Sequence, residues 1–111
     1  MEYAMLLVTC PNARVAESIA RRMVGFRLAA CGNVTRPMTS IYRWKGKMRR
    51  ESEVLLFLKT RKSLVDICTD SIWALHPYEV PEILAVPIAS GLPAYLTWVR
   101  AETRAPGRRR R

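Results

Sequence analysis

The chain has 111 residues, half of them hydrophobic and a quarter charged, with a formal net charge of +10. That length suits one domain, the balance is globular rather than disordered, and no apolar run approaches the ~20 residues of a membrane-spanning helix. Cys10, Cys31 and Cys68 are odd in number and form no CxxC pair, which argues against a disulfide framework or a zinc knuckle and for a reduced, cytoplasmic setting.

Residues 3–10, YAMLLVTC, form an apolar run that reads as a buried strand; Glu2 and this strand-like pattern do not resemble a signal peptide. Pro11 stops the strand and Asn12 is a good helix N-cap. From there Val15/Ala16, Ile19/Ala20 and Met23/Val24 recur every four residues, an amphipathic stripe that Gly25 is placed to end. Residues 31–44 look extended, with Pro37 marking an edge or a bulge. Lys45-Gly46-Lys47 is a turn, and residues 48–60 return as a second strand whose apolar run, Val54 to Leu58, should be covered on both faces.

Ser63 is placed to cap a second helix with Leu64, Cys68, Ile72 and Leu75 as its stripe. Pro77 and Pro81 keep the next segment from being helical, and residues 82–89 read as a last strand. Pro93 sits at the first turn of a closing helix over 93–104. The order β-α-β-β-α-β plus a terminal helix predicts an α+β, ferredoxin-like sandwich with a long β-hairpin, one domain over residues 1–104. Residues 105–111, ending in RRRR, read as a disordered basic tail and a solvated charge run, so no specific nucleic acid is expected as a partner.

Size adds a further expectation. A compact domain of this length has a radius of gyration of ~13 Å and a diameter of roughly 34 Å. Residues 31–44, fully extended at ~3.3 Å each, would span about 46 Å. A hairpin over 31–60 therefore overshoots its own domain unless it bends at Pro37, and a bare projecting hairpin is an aggregation hazard. Cover by another subunit, a homo-oligomer, is the expected solution.

Six segments in order, VTCPN (8–12), RLAACGNV (27–34), TSIYRWKGK (39–47), SEVLLFLKT (52–60), HPYEVPEI (76–83) and YLTWV (95–99), resemble the CutA family of divalent-cation tolerance proteins over about residues 3 to 104. The resemblance implies a homotrimer in which the hairpin and the C-terminal helix reach onto neighbouring subunits, with Trp44, Tyr95 and Trp98 at the interface. It implies a response to metal ions, with Cu(II) or another divalent metal as ligand, and neither an organic cofactor, an enzymatic activity nor a membrane partner. The alternative it implies is a trimeric adaptor or sensor, with architecture like PII regulators, that binds a small anionic ligand or a protein.

By position in the family pattern, the metal candidates are His76, Cys10, Glu79 and Glu82, in an intersubunit cleft lined by Tyr42, Trp44 and Tyr78. Imidazole, thiolate and carboxylate together suit a borderline metal such as Cu(II) or Zn(II). Of the three ligand positions proposed in bacterial members, Val8 and Leu75 hold apolar residues here and only His76 remains. His76 reads equally as a residue closing the preceding helix, and Cys10 as either a core hydrophobe or a ligand.

Rival activities lack their signatures. There is no Ser/His/Asp order, no Gly-rich phosphate loop and no HExxH. An RNA-binding sheet needs aromatic residues on its open central strands, where ESEVLLFLKT offers mainly aliphatic ones.

Overall fold

The computed structural model describes residues 2–105. The elements are β1 (Tyr3–Cys10), α1 (Ala13–Gly25), β2 (Cys31–Val34), β3 (Met38–Trp44), β4 (Lys47–Arg61), α2 (Val65–Leu75), β5 (Ile83–Pro87) and α3 (Pro93–Glu102), with a 3₁₀ turn over Lys62–Leu64. The result is a mixed α+β fold with one five-stranded antiparallel sheet, ordered β2-β4-β1-β5, and β3 paired with the far half of β4.

Alternation along the strands sets which face is buried. Leu6, Val8 and Cys10 of β1 stand opposite Leu58, Leu56 and Val54 of β4, and all six are buried. Residues two apart on a strand share a face, so this register builds one apolar surface. Ala16, Ile19 and Met23 of α1 and Cys68 and Ile72 of α2 close over it as a single core. Each fully buried large aliphatic side chain there contributes about 1.5–3 kcal/mol.

The opposite face of the same sheet is apolar but incompletely covered. Leu7 pairs with Phe57 on one side and Leu84 on the other. Phe57 and Leu55 are half-buried and Leu84 is 53% exposed, so the run Val54 to Leu58 is fully covered on one face only within this chain.

The hairpin closes through Lys45 (φ 51°) and Gly46 (φ 79°), two left-handed residues between Trp44 and its partner Lys47. Consecutive positive φ values are the signature of a two-residue type I′ turn, whose twist matches that of the flanking strands. The paired arms β3 and β4 carry exposed Ile41 and Met48, and the radius of gyration, 14.8 Å, exceeds the ~13 Å of a compact chain of this size.

Local chemistry explains most boundaries. The Asn12 carboxamide accepts from the Val15 amide at 2.9 Å and starts α1. The helix ends at Gly25, yet the left-handed residue that follows is Arg27 (φ 60°), not the glycine. Ser63 does not cap α2: it lies inside the 3₁₀ turn, and Leu64, without a side-chain cap, precedes the helix. The last strand is shorter than 82–89 because Pro87 cannot donate to the ladder and ends it. Pro93 opens α3, and two arginines hold its C-terminal carbonyls: Arg61 donates to Arg100 O (2.7 Å) and Thr103 O (2.8 Å), and Arg27 to Ala101 O (2.7 Å). Of the expected tail, residues 106–111 lie outside the described residues.

Candidate functional site

The segment after α2 is fixed by its one histidine. His76 Nε2 lies 2.8 Å from the Thr9 carbonyl oxygen, and the Tyr78 amide points at Nδ1 from 3.1 Å. A backbone amide only donates, so Nδ1 is the acceptor; Nε2 then carries the hydrogen and donates to Thr9. Both nitrogens are thus engaged, and the ring is only 8% exposed. Pro77 and Pro81 stiffen the loop on either side of Tyr78, and the Trp73 indole donates to the Glu79 carbonyl at 3.3 Å.

Tyr78 makes the second tie. Its hydroxyl donates to Glu53 Oε2 at 2.6 Å, and Glu53 is 5% exposed. Burial, followed by the bond to the Glu53 carboxylate, pushes the Tyr78 phenol well above its usual range. Glu53 sits where β4 passes from its charged half to its apolar half, opposite Met38 of β3.

Between this loop and the β3–β4 arms lies an open groove of about 560 Å³. Tyr42, Trp44 and Arg49 line it from the hairpin, and Glu51, Glu53, Glu79 and Glu82 from β4 and the loop. The whole chain has nine acidic residues against 19 basic ones. Gathering four carboxylates around one Arg gives the groove a sign opposite to that of the molecule, so it attracts cations.

The expected residues therefore divide. Tyr42, Trp44, Tyr78, Glu79 and Glu82 line one groove, and His76 and Cys10 do not. Cys10 is fully buried among core residues, facing the helices, and burial together with the nearby Glu53 charge pushes its thiol up to about 11. Among the described residues no three His, Cys, Asp or Glu side chains converge as a metal site. An imidazole with both nitrogens occupied and a buried protonated thiol do not fit the ligand role, whereas the solvent-facing carboxylates Glu79 and Glu82 fit loose contact with a cation.

Away from the groove, Tyr95 and Trp98 of α3 pack on each other with ring centroids 5.6 Å apart and remain 39% and 42% exposed. Trp44 is half-buried, with the Lys45 ammonium 5.7 Å above its ring. Sequence reasoning missed Glu53, Glu51 and the Thr9 carbonyl. Glu53 was accessible in principle: it is the last acid before an apolar run, at a strand position that alternation with Val54 places on the face opposite the core.

Known proteins share this architecture. Residues 4–102 match the family described as CutA1 divalent ion tolerance protein. The mouse protein named Protein CutA is 52% identical over 96 residues, which cover 86% of this chain and 54% of that protein. The divalent-cation tolerance protein CutA of Thermus thermophilus is 46% identical over 99 residues, 89% of this chain and 96% of its own length. The crystal structure of CutA from Xylella fastidiosa superposes with a TM-score of 0.90 at 39% identity, covering 94% of this chain and all of that one. The chain thus spans about half the length of its mammalian relatives and nearly all of the bacterial ones. Fold and residue identity agree over residues 4–102, and the chain belongs to the CutA1 divalent-ion tolerance family.

Proposed function

We propose that this protein acts in divalent-cation tolerance as a cytoplasmic homotrimer with a ferredoxin-like protomer, in which the acidic groove of each subunit, completed by a neighbour, binds copper or a similar divalent metal weakly. The observation that carries the reading is the concentration of Glu51, Glu53, Glu79 and Glu82 around one groove in a chain of net charge +10. Family membership supports a role connected with divalent ions. The under-covered sheet face (Phe57, Leu84) and the exposed Ile41, Met48, Tyr95 and Trp98 support self-association, because apolar area of this extent is normally covered by a partner.

Within one chain the available donors are carboxylate oxygens, and Glu79 and Glu82 would hold the ion. Oxygen donors this sparse bind loosely unless a second subunit adds ligands. Chemically, the residues supply binding and charge compensation. The buried thiols of Cys10 and Cys68 are held protonated by their surroundings.

Two measurements test the reading. Sedimentation at micromolar concentration should give three chains per particle. Calorimetric titration with Cu(II) should show affinity that falls at least tenfold in a Glu79→Gln/Glu82→Gln variant and is unchanged in Cys10→Ala. Equal Cu(II) binding by the wild type and the double carboxamide variant removes the groove as the metal site.

A further inference from the structure

The groove lies at one end of the sheet; the opposite end carries the reverse charge. There the first residues of β1, the last of β4 and the C-termini of α1 and α3 meet. The Lys62 amide donates to Glu2 O at 2.8 Å, the Arg104 amide to Arg27 O at 2.9 Å, and the Arg61 and Arg27 guanidiniums to the last carbonyls of α3. Arg22 lies in the last turn of α1 and Arg100 in that of α3. Six cations, Arg22, Arg27, Arg61, Lys62, Arg100 and Arg104, are therefore drawn to one pole by the fold itself. Against them stand Glu2, which pairs with Arg100 at 3.0 Å, Glu102 and, at the start of α2, Asp66.

We propose that this pole is a sequence-independent binding surface for the phosphodiester backbone of single-stranded nucleic acid, distinct from the groove and independent of any metal held there. Three observations favour that ligand. The cations are overwhelmingly arginine, whose planar fork engages phosphate oxygens two at a time. Arg61 and Arg27 spend donors on helix carbonyls and act as fixed background charge, while Lys62 and Arg104 are exposed and available for contact. The cations also come from the ends of three different elements, so the charge is spread over a rounded end rather than along one amphipathic helix, the form a membrane surface favours. The central strand β4 presents no exposed aromatic ring, but Phe26, 60% exposed beside Arg27 at the end of α1, offers a stacking face to an unpaired base without reading its identity.

The contact is electrostatic and so falls steeply with salt, each neutralised phosphate on a single strand contributing a slope of about −0.7 in log K against log salt. The test is fluorescence anisotropy of a labelled oligo(dT) of about 20 nucleotides with the full chain, at about 50 and 200 mM salt. Binding at the lower salt should weaken at least tenfold at the higher. A Lys62→Glu/Arg104→Glu variant, confirmed as folded by its circular dichroism and melting curve, should lose a further tenfold, both in the full chain and in a chain ending at Ala105. No binding at about 50 mM salt overturns the proposal. So does binding that the double charge reversal leaves unchanged, which would assign it to residues 106–111 alone. Tighter association with vesicles containing about 30% anionic lipid than with the oligonucleotide overturns it in favour of a membrane surface.

Discussion

The Tyr78 hydroxyl donates to the Glu53 carboxylate at 2.6 Å, joining the loop after α2 to the strand that runs through the whole sheet. Glu53 is 5% exposed, so this bond is one of the few means by which its carboxylate is satisfied away from water. The groove wall is therefore held by this polar contact together with the packing of Tyr78 on His76, whose ring centroids lie 4.7 Å apart.

Removing the hydroxyl should be costly. Tyr78→Phe leaves a mostly buried carboxylate without its donor, an arrangement that costs about 1–3 kcal/mol. Urea unfolding should show a midpoint lowered accordingly with an unchanged slope, and in Glu53→Gln/Tyr78→Phe the two losses should be less than additive. A single variant within about 0.3 kcal/mol of wild type would show that the bond contributes nothing net.

His76 should act as a latch. In His76→Ala the Thr9 carbonyl and the Tyr78 amide both lose their partners, and the loss of two buried hydrogen bonds together with the ring predicts roughly 2–4 kcal/mol of destabilisation. Amide hydrogen exchange provides the specific readout: the Tyr78 amide, slow in the wild type, should exchange at close to the free-peptide rate. Nitrogen-resolved imidazole NMR should find the hydrogen on Nε2.

Thiol chemistry gives a pH prediction. Burial pushes both Cys10 and Cys68 from 9.0 up to about 11, with the Glu53 charge adding to the effect at Cys10. The folded state then keeps protons that the unfolded state releases above pH 9, so stability from this source is complete below pH 9 and is lost as pH rises towards 11. Urea midpoints at pH 8 and 10.5 should differ by more in the wild type than in Cys10→Ala. At pH 8 the folded protein should react with a thiol reagent at half-buried Cys31 and not at the other two.

Gly32 predicts a packing effect. A Cβ there would meet the Ala20 Cβ at 2.9 Å and a Leu58 methyl at 3.1 Å, where α1 crosses β2 and β4. Neither neighbour can yield without shifting backbone or core, so Gly32→Ala should cost about 1–3 kcal/mol. Gly32→Ala paired with Ala20→Gly should recover part of that loss in thermal melts, because it removes the nearest contact.

Much of this fold was legible from periodicity. The stripe from Val15 onward reports the buried face of α1 through Ala16, Ile19 and Met23, though Val24 at its end is exposed, and the apolar run from Tyr3 to Cys10 marks a strand. Asn12 caps α1 and Pro93 opens the first turn of α3 because their local chemistry acts without tertiary help. Ser63 misled because capping competes with packing: burying Leu64 draws the chain into a 3₁₀ turn before the helix can start at the serine. The site was half legible. Tyr42, Trp44, Tyr78, Glu79 and Glu82 line one groove of this chain, where the family resemblance implied a cleft between subunits. The positions of Cys10 and His76 depend on strand register and on hydrogen bonds between residues 67 apart, which no local pattern encodes. Glu53 went unnoticed because a glutamate in a charged stretch looks solvated until the strand crossing it is known.

β4 alone pairs with β1, β2 and β3. Its partnership with β3 closes through two residues, whereas Cys10 meets Val54 across 44 positions of chain and Tyr3 meets Arg61 across 58. Chain-closure entropy grows with that separation, so the tip forms within microseconds and the central ladder waits for a distant N-terminal segment to arrive. Refolding is therefore limited by the docking of β1, and mutations at Leu6 or Val8 should slow it; changes near Gly46, in a turn formed before that step, should likewise act on the refolding rate and leave the rate of opening nearly unchanged.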